Sequence, residues 1–177
     1  TLLTVHDLSF IRVPEAASPS LKSYLDSVVP RSVSRANHIL ADSQATKDDL
    51  VDLYHTNPDK ITVLLSGVDK QFKPITDTSQ LAYVRKKYQL EGKLYFFSVG
   101  TVQPRKNYSR VIRALKRLRD QGLDIHYAIA GGKGWLEDEM HQTIQETQLD
   151  DFVHLLGFVD DEDLPALYSN ADCLVIA

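Results

Sequence analysis

Residues 94–131 read LYFFSVGTVQPRKNYSRVIRALKRLRDQGLDIHYAIAG. The segment opens on an apolar run that ends at Gly100, passes through a short loop, and closes on a second apolar run ending at Gly131. Between the runs Val111, Ile112, Leu115 and Leu118 recur at helical spacing on one face, while Arg110, Arg113, Lys116, Arg117 and Arg119 take the others. Gly122 is placed to cap that helix. An apolar run without polar alternation is what a strand covered on both faces looks like. Strand, helix and strand in that order force parallel pairing through a right-handed crossover.

The same alternation continues downstream. Residues 152–157 (FVHLLG) and 172–177 (DCLVIA) are further strand candidates, the last expected to be buried. Leu136, Met140 and Ile144, then Leu164, Leu167, Tyr168 and Ala171, step at helical spacing between the strands. The second half therefore predicts an α/β, Rossmann-like half-sheet. The first half is similar but looser: a strand over 1–7, a helix over 21–35 disturbed by Pro30, a strand over 38–41 leading to a Ser43 cap, a helix to Tyr54, and a strand over 61–65. Residues 66–79 hold Gly67, Pro74 and several Asp and Thr without sustained periodicity, and are the expected crossing between the halves. There is no internal repeat, low-complexity tract or heptad pattern.

Composition bounds the function. The 177 residues leave room for one large domain or two small ones. Apolar residues at 43% and charged residues at 25% are globular usage. Twenty basic and twenty-four acidic residues give a net charge of −4, so no global field draws the chain to nucleic acid and any anion site must be local. The single Cys173 excludes an internal disulfide and a thiol pair for zinc. No apolar run approaches the ~20 residues of a membrane span, and there is no charged start followed by an apolar signal core. A cytoplasmic, soluble protein is expected. Strand composition at both ends, with nothing leading in or out, predicts an internal piece of a longer protein.

Candidate chemistry sits at four strand ends. Gly100-Thr101-Val102-Gln103-Pro104-Arg105-Lys106-Asn107 sets two cations just before a helix, with Asn107 as the expected N-cap. Cations at a helix N-terminus cost a few tenths to ~1 kcal/mol unless an anion offsets them, so the stretch predicts a phosphate site that is complete only with its ligand. A solvated pair on a basic helix is the alternative. Gly131-Gly132-Lys133-Gly134 permits close backbone approach to a ligand, but it is no full Walker or GxGxxG pattern, and a tight turn explains it equally. His6-Asp7 closes the first strand and could face a substrate, although a lone histidine is more often structural. Gly157-Phe158-Val159 precedes a helix with Asp161 or Asp163 as cap and Pro165 in its first turn. A backbone loop there could read the edge of a base or be a plain turn. His38, His55, His126, His141 and His154 have no ligand-like spacing, so no metal site is expected. All four candidates lie beyond carboxyl ends of strands, the edge where open parallel sheets bind ligands.

These residues also carry a resemblance. VHDLSF (5–10), ADS (41–43), SGVD (66–69) with Phe72 and Pro74, VGTVQPRKN (99–107), AGGKGW (130–135), LLGFVDDEDLPALYSNAD (155–172) and CLVIA (173–177) resemble, in that order, the group 1 retaining glycosyltransferases, family 4 enzymes of the GT-B fold. The PRKN and GGKGW forms are similar to a branch of mannosyltransferases that build bacterial O-antigen and other surface polysaccharides. The resemblance implies two Rossmann-like parallel-sheet halves facing a cleft, both truncated. Residues 1–69 would be the later part of the N-terminal, acceptor-side domain, and residues 70–177 the first part of the C-terminal, nucleotide-sugar-binding domain. It further implies transfer of a hexose, mannose preferred, from a nucleotide-diphosphate sugar to a saccharide or lipid-linked acceptor with retention of configuration. The donor would be GDP-mannose or a UDP-hexose.

By the same resemblance Arg105 and Lys106 bind the donor diphosphate and stabilise the departing nucleoside diphosphate. Gly131 and Gly132 line the nucleotide cleft, Gly100 and Thr101 join the substrate-binding set, and the backbone at Phe158 and Val159 sits against the base. His6 touches the donor's sugar or phosphate. Retention is ascribed to front-face attack with a leaving-phosphate oxygen taking the acceptor's proton, so no protein nucleophile, cofactor or metal is implied. The chain departs from the family pattern at Thr101, where many relatives carry arginine, which leaves Arg105 as the adjacent guanidinium. The family's paired glutamates lie downstream of residues 173–177 and its glycine-rich acceptor-side loop lies upstream, so these residues alone are expected to have little turnover. A nucleotide-sugar 2-epimerase of the same architecture and a non-catalytic sugar-nucleotide-binding module are the rival readings. The basic helix over 107–121 could also be a peripheral contact at the inner face of the membrane, or simply a solvated face.

Overall fold

Residues 1–132, 134 and 138–177 are described by a computed structural model. Lys133, Trp135 and Leu136, which carry part of the glycine-rich turn and the first position expected on the next helix, lie outside the described residues. The chain divides into two units, Thr1–Val68 and Asp69–Ala177.

In the first unit, strands β1 (Leu2–Val5), β2 (His38–Ala41) and β3 (Ile61–Val63) pair in parallel in the order β1-β2-β3. Helices α1 (Ser9–Arg12), α2 (Pro19–Arg35) and α3 (Gln44–Tyr54) make the connections. Ser43 caps α3 as its sequence predicts, with its Oγ accepting from the Thr46 N–H at 3.1 Å. Helix α2 runs on through Pro30, where the sequence predicts a disturbance. Leu25 and Val29 before the proline and Val33 after it all pack into one core with Ile39 and Leu50, and that burial outweighs the missing backbone bond.

The second unit holds α4 (Thr78–Lys87), β4 (Leu94–Val99), α5 (Tyr108–Asp120), β5 (Ile125–Ala130), α6 (Asp138–Thr147), β6 (Val153–Gly157), α7 (Leu164–Asn170) and β7 (Cys173–Leu174). Its sheet is parallel throughout, ordered β6-β5-β4-β7. Residues of α5 and α6 cover one face, where Ile112, Leu115, Met140 and Ile144 meet Tyr127 and Ile129. The other face is closed by α4 and α7, where Val84, Ala166 and Leu167 meet Tyr95, Phe97, Ala128 and Ala130. Strands covered on both sides read as near-continuous apolar runs, interrupted here by Ser98 in β4 and His126 in β5, which is why the two stand out in the sequence. Helix α5 ends with Gly122 at φ +87° and the Leu123 N–H on the Leu118 carbonyl, the left-handed stop its glycine predicts.

Two expectations are corrected. The sequence assigns no helix to residues 78–87, yet α4 forms there behind Asp77, whose carboxylate accepts from the Ser79 and Gln80 N–H groups. The strand over 172–177 is shorter and more exposed than expected: among the described residues β7 pairs with β4, and within these 177 residues Leu174 is 48% and Ile176 85% exposed. After β4 the chain moves outward through β5 to β6 and then returns past β4 to β7. The direction of winding therefore reverses at β4, and the carboxyl end of β4 is the crevice such a sheet offers a ligand. Among the described residues no helix is long and apolar enough to cross a membrane.

Candidate functional site

Backbone bonds continue past the strand ends of the second unit. The Gly100 N–H donates to the Ala130 carbonyl at 2.8 Å, the Val102 N–H to Gly132 at 3.2 Å, and the Gly131 N–H to Gly157 at 2.7 Å. The loops after β4, β5 and β6 are thereby stitched side by side, and Gly100, Thr101, Gly131, Gly132 and Gly157 come together at one edge. The fit is close enough to require glycine at Gly131, where a Cβ would lie 2.0 Å from the Gly100 oxygen and the backbone sits at φ +155°.

At Gly100 the space above the backbone is taken by a functional side chain. A Cβ there would lie 3.0 Å from Lys106 Cε and 3.4 Å from its Nζ, so Lys106 folds back over the end of β4. Buried Tyr108 holds the loop by donating its hydroxyl to the Gly100 carbonyl at 3.0 Å. Arg105 and Lys106 belong to a single 3-10 turn, Pro104–Lys106, and Arg105 is exposed. Neither cation has a hydrogen-bond or carboxylate partner among the described residues, which is the local charge imbalance an anion would neutralise.

Asn107 corrects its expected role. It adopts a left-handed conformation, φ 50° and ψ 38°, and its side chain makes no cap bond to α5. A capping side chain needs extended backbone, whereas Asn107 closes the 3-10 turn by donating its N–H to Pro104. The N–H groups opening α5 are therefore left without a side-chain acceptor. Phe158 follows Gly157 and is 81% exposed, and Val159 turns into the core. Asp163 precedes α7 but does not cap it, because its backbone is already helical and its carboxylate accepts from Lys87 Nζ at 2.6 Å and Tyr88 Oη at 2.8 Å.

In the first unit, parallel pairing of Val5 with Ala41 sets His6 beside Asp42. His6 Nδ1 lies 2.6 Å from Asp42 Oδ2, and Asp7 next to it accepts from the Ser9 N–H at 2.9 Å. Thr46 Oγ1 donates to the His6 carbonyl at 3.0 Å and fixes its backbone. The ring is 77% exposed, and its pKa is raised above 6.5, first by the hydrogen bond to Asp42 and then by that carboxylate's charge. Nδ1–H donates to the carboxylate, leaving Nε2 free for a ligand. A raised pKa keeps the imidazolium to higher pH, and the pair's contribution to stability is full below 6.5 and lost as pH rises through the folded midpoint. Asp42→Asn is expected to move the His6 midpoint down in an NMR titration; an unmoved midpoint contradicts the pairing.

Sequence spacing also did not reveal His126 and His154, which meet across β5 and β6 at 3.0 Å, near the amino end of the sheet and away from this edge. Burial lowers the pKa of both, that of His154 to about 4. Among the described residues no three His, Cys, Asp or Glu side chains cluster as they would around a metal ion. Of the cations on α5, Lys116 pairs with Asp120, Arg119 with Asp124 and Arg113 with Glu139.

The two parallel α/β sheets, with the glycine ends of the second gathered at one edge, define a Rossmann-like class of fold. Residues 82–177, more than half of the chain, match the family Glycosyl transferases group 1, and residues 1–72 match Glycosyltransferase Family 4. The chain belongs to the group 1 glycosyltransferases. It is 28% identical over 173 residues to O-antigen chain mannosyltransferase B of Escherichia coli, covering 97% of this chain and 45% of that protein. It is likewise 28% identical over 173 residues to O-antigen chain mannosyltransferase RfbU of Salmonella typhimurium, covering 98% and 44%. The chain thus spans a little under half the length of these relatives. The crystal structure of Anabaena Alr3699/HepE in complex with UDP and glucose superposes with a TM-score of 0.79 at 23% identity, over 99% of this chain and 45% of that one. WaaG, a glycosyltransferase involved in lipopolysaccharide biosynthesis, superposes with a TM-score of 0.71 at 18% identity, over 99% and 49%. The α/β, GT-B type of fold expected from the sequence is confirmed.

Proposed function

We propose that the whole protein moves a hexose, mannose by preference, from a nucleotide-diphosphate sugar to a saccharide or lipid-linked acceptor, with retention of configuration. The observation that carries this reading is the pair of cations without partners among the described residues, Lys106 folded over Gly100 at the end of β4 and exposed Arg105 beside it in the same 3-10 turn. A diphosphate placed there meets two positive side chains and the uncapped N–H groups of α5. As the sugar–phosphate bond breaks, negative charge grows on the leaving diphosphate, and donors already fixed in place stabilise that charge without reorganising. A leaving-phosphate oxygen takes the proton of the acceptor hydroxyl, so the protein positions groups and balances charge without a nucleophile or metal. Gly100, Thr101, Gly131 and Gly132 line the nucleotide, the backbone at Phe158 and Val159 meets the base, and His6, whose pKa the Asp42 carboxylate raises, meets the sugar or phosphate. The O-antigen mannosyltransferase relatives support mannose and hence GDP-mannose; the UDP and glucose named for the Anabaena protein support a UDP-hexose as the next choice. The pairing of Lys116 and Arg119 within the unit weakens the case for a membrane contact through α5.

The test follows a labelled donor sugar in the whole protein with an acceptor present. Label in the acceptor with unchanged anomeric configuration is the expected result. A rearranged sugar nucleotide with no acceptor consumed would make the protein an epimerase, and donor bound but unaltered would make it a binding module.

A further inference from the structure

The loop that presents Phe158 and Val159 is gripped from outside the donor-binding set. Lys87, the last residue of α4, brings Nζ to 2.6 Å from Oδ2 of both Asp160 and Asp163. Its neighbour Tyr88 donates its hydroxyl to Asp163 at 2.8 Å and accepts from the Asp160 N–H at 3.4 Å. These contacts hold the loop on the carboxyl side of Val159. On the other side the Gly157 carbonyl accepts from Gly131 at 2.7 Å, and Val159 itself is buried with Val84 of α4 and Leu167 of α7. The segment is fixed at three places, while Phe158 between them stays 81% exposed.

Joining α4 to α7 does not require this arrangement, since Val84, Ala166 and Leu167 already pack the helices onto the same sheet face. Asp163 has its carboxylate directed to Lys87 and Tyr88 although it stands where a capping residue would serve α7. At 12% exposure the Asp163 side chain is shielded from solvent, so its pairing is weakened by salt less than a surface ion pair. Backbone groups that read a base work only when held within about 0.5 Å of the productive geometry. We propose that Lys87 and Tyr88 are positioning residues for the base end of the donor site, fixing the backbone of residues 157–160 without touching the donor. This rests on the reading that Phe158 and Val159 meet the base.

The experiment titrates GDP, UDP and inorganic pyrophosphate into the unaltered protein, Lys87→Met, Lys87→Arg and Tyr88→Phe. Lys87→Met is expected to weaken whichever nucleoside diphosphate binds by about tenfold, the effect of one lost charged contact, while pyrophosphate binding stays within about twofold because Arg105 and Lys106 are intact. Tyr88→Phe is expected to act in the same direction with a smaller fold-change, and Lys87→Arg to recover most of the loss. Nucleoside diphosphate binding unchanged in Lys87→Met, or an equal loss of pyrophosphate binding, overturns the inference while leaving the diphosphate site standing. Pyrophosphate binding by the unaltered protein with no preference for either nucleoside diphosphate would instead overturn the base reading, and the inference with it. Should Lys87→Met fail to fold, Tyr88→Phe, which removes one hydroxyl, carries the same comparison.

Discussion

Lys106→Ala is expected to weaken donor binding by about 1.5–3 kcal/mol, roughly 10- to 150-fold in Kd, when GDP-mannose, UDP-glucose and UDP-N-acetylglucosamine are titrated by calorimetry. The size follows from the setting of the side chain. Lys106 lies over Gly100 at the end of β4 and has no carboxylate partner among the described residues, so its charge is available to a phosphate without first breaking an ion pair. The same lack of partners predicts a small effect on the folded state, within about 0.5 kcal/mol. Loss of affinity with stability preserved identifies a ligand contact. Unchanged affinity for a donor that does bind would remove Lys106 from the site.

Gly131→Ala is expected to destabilise the protein by about 2–4 kcal/mol and to abolish donor binding. The added Cβ would stand 2.0 Å from the Gly100 oxygen and 2.5 Å from its carbonyl carbon, both backbone atoms of the neighbouring loop. Backbone cannot swing aside as a side chain does, so the clash separates the ends of β4 and β5 and breaks the Gly100 to Ala130 and Gly131 to Gly157 bonds. Denaturant midpoints at constant m-value measure the loss. Gly132→Ala is the control: a Cβ at Gly132 meets no described atom within 4 Å, so its cost should stay below about 1 kcal/mol. Equal destabilisation by the two substitutions would show that glycine content in general, rather than the close approach at Gly131, governs this edge.

What the sequence reveals divides along physical lines. Strands β4 and β5 are legible almost to the residue because two covered faces favour a near-continuous apolar run. The glycines at 100 and 131 are legible as strand ends, but the reason residue 131 must be glycine is not, because it lies in the Gly100 backbone of a loop 31 residues away. Helix α4 escapes notice because Val84 is its only fully buried residue, and its clearest signal is the capping Asp77. The partners that shape the site were hidden for a different reason. Asp42 is 36 residues from His6, and Asp163 is 76 from Lys87, and each pairing exists only once strand register or helix packing has brought two distant elements together. Asn107 shows a third case: its residue type suits both a cap and a left-handed turn, and the preceding Pro104–Lys106 turn decides between them.

Binding of a nucleoside diphosphate at the carboxyl edge of β4, β5 and β6 is read from amide chemical shifts of the labelled chain during titration with GDP or UDP. The largest changes are expected on Gly100, Thr101, Lys106, Gly131, Gly132, Phe158 and Val159, with little change at the opposite end of the sheet around His126 and His154. Changes centred on His126 and His154, or saturating binding that leaves Gly100 and Gly131 unmoved, would contradict it.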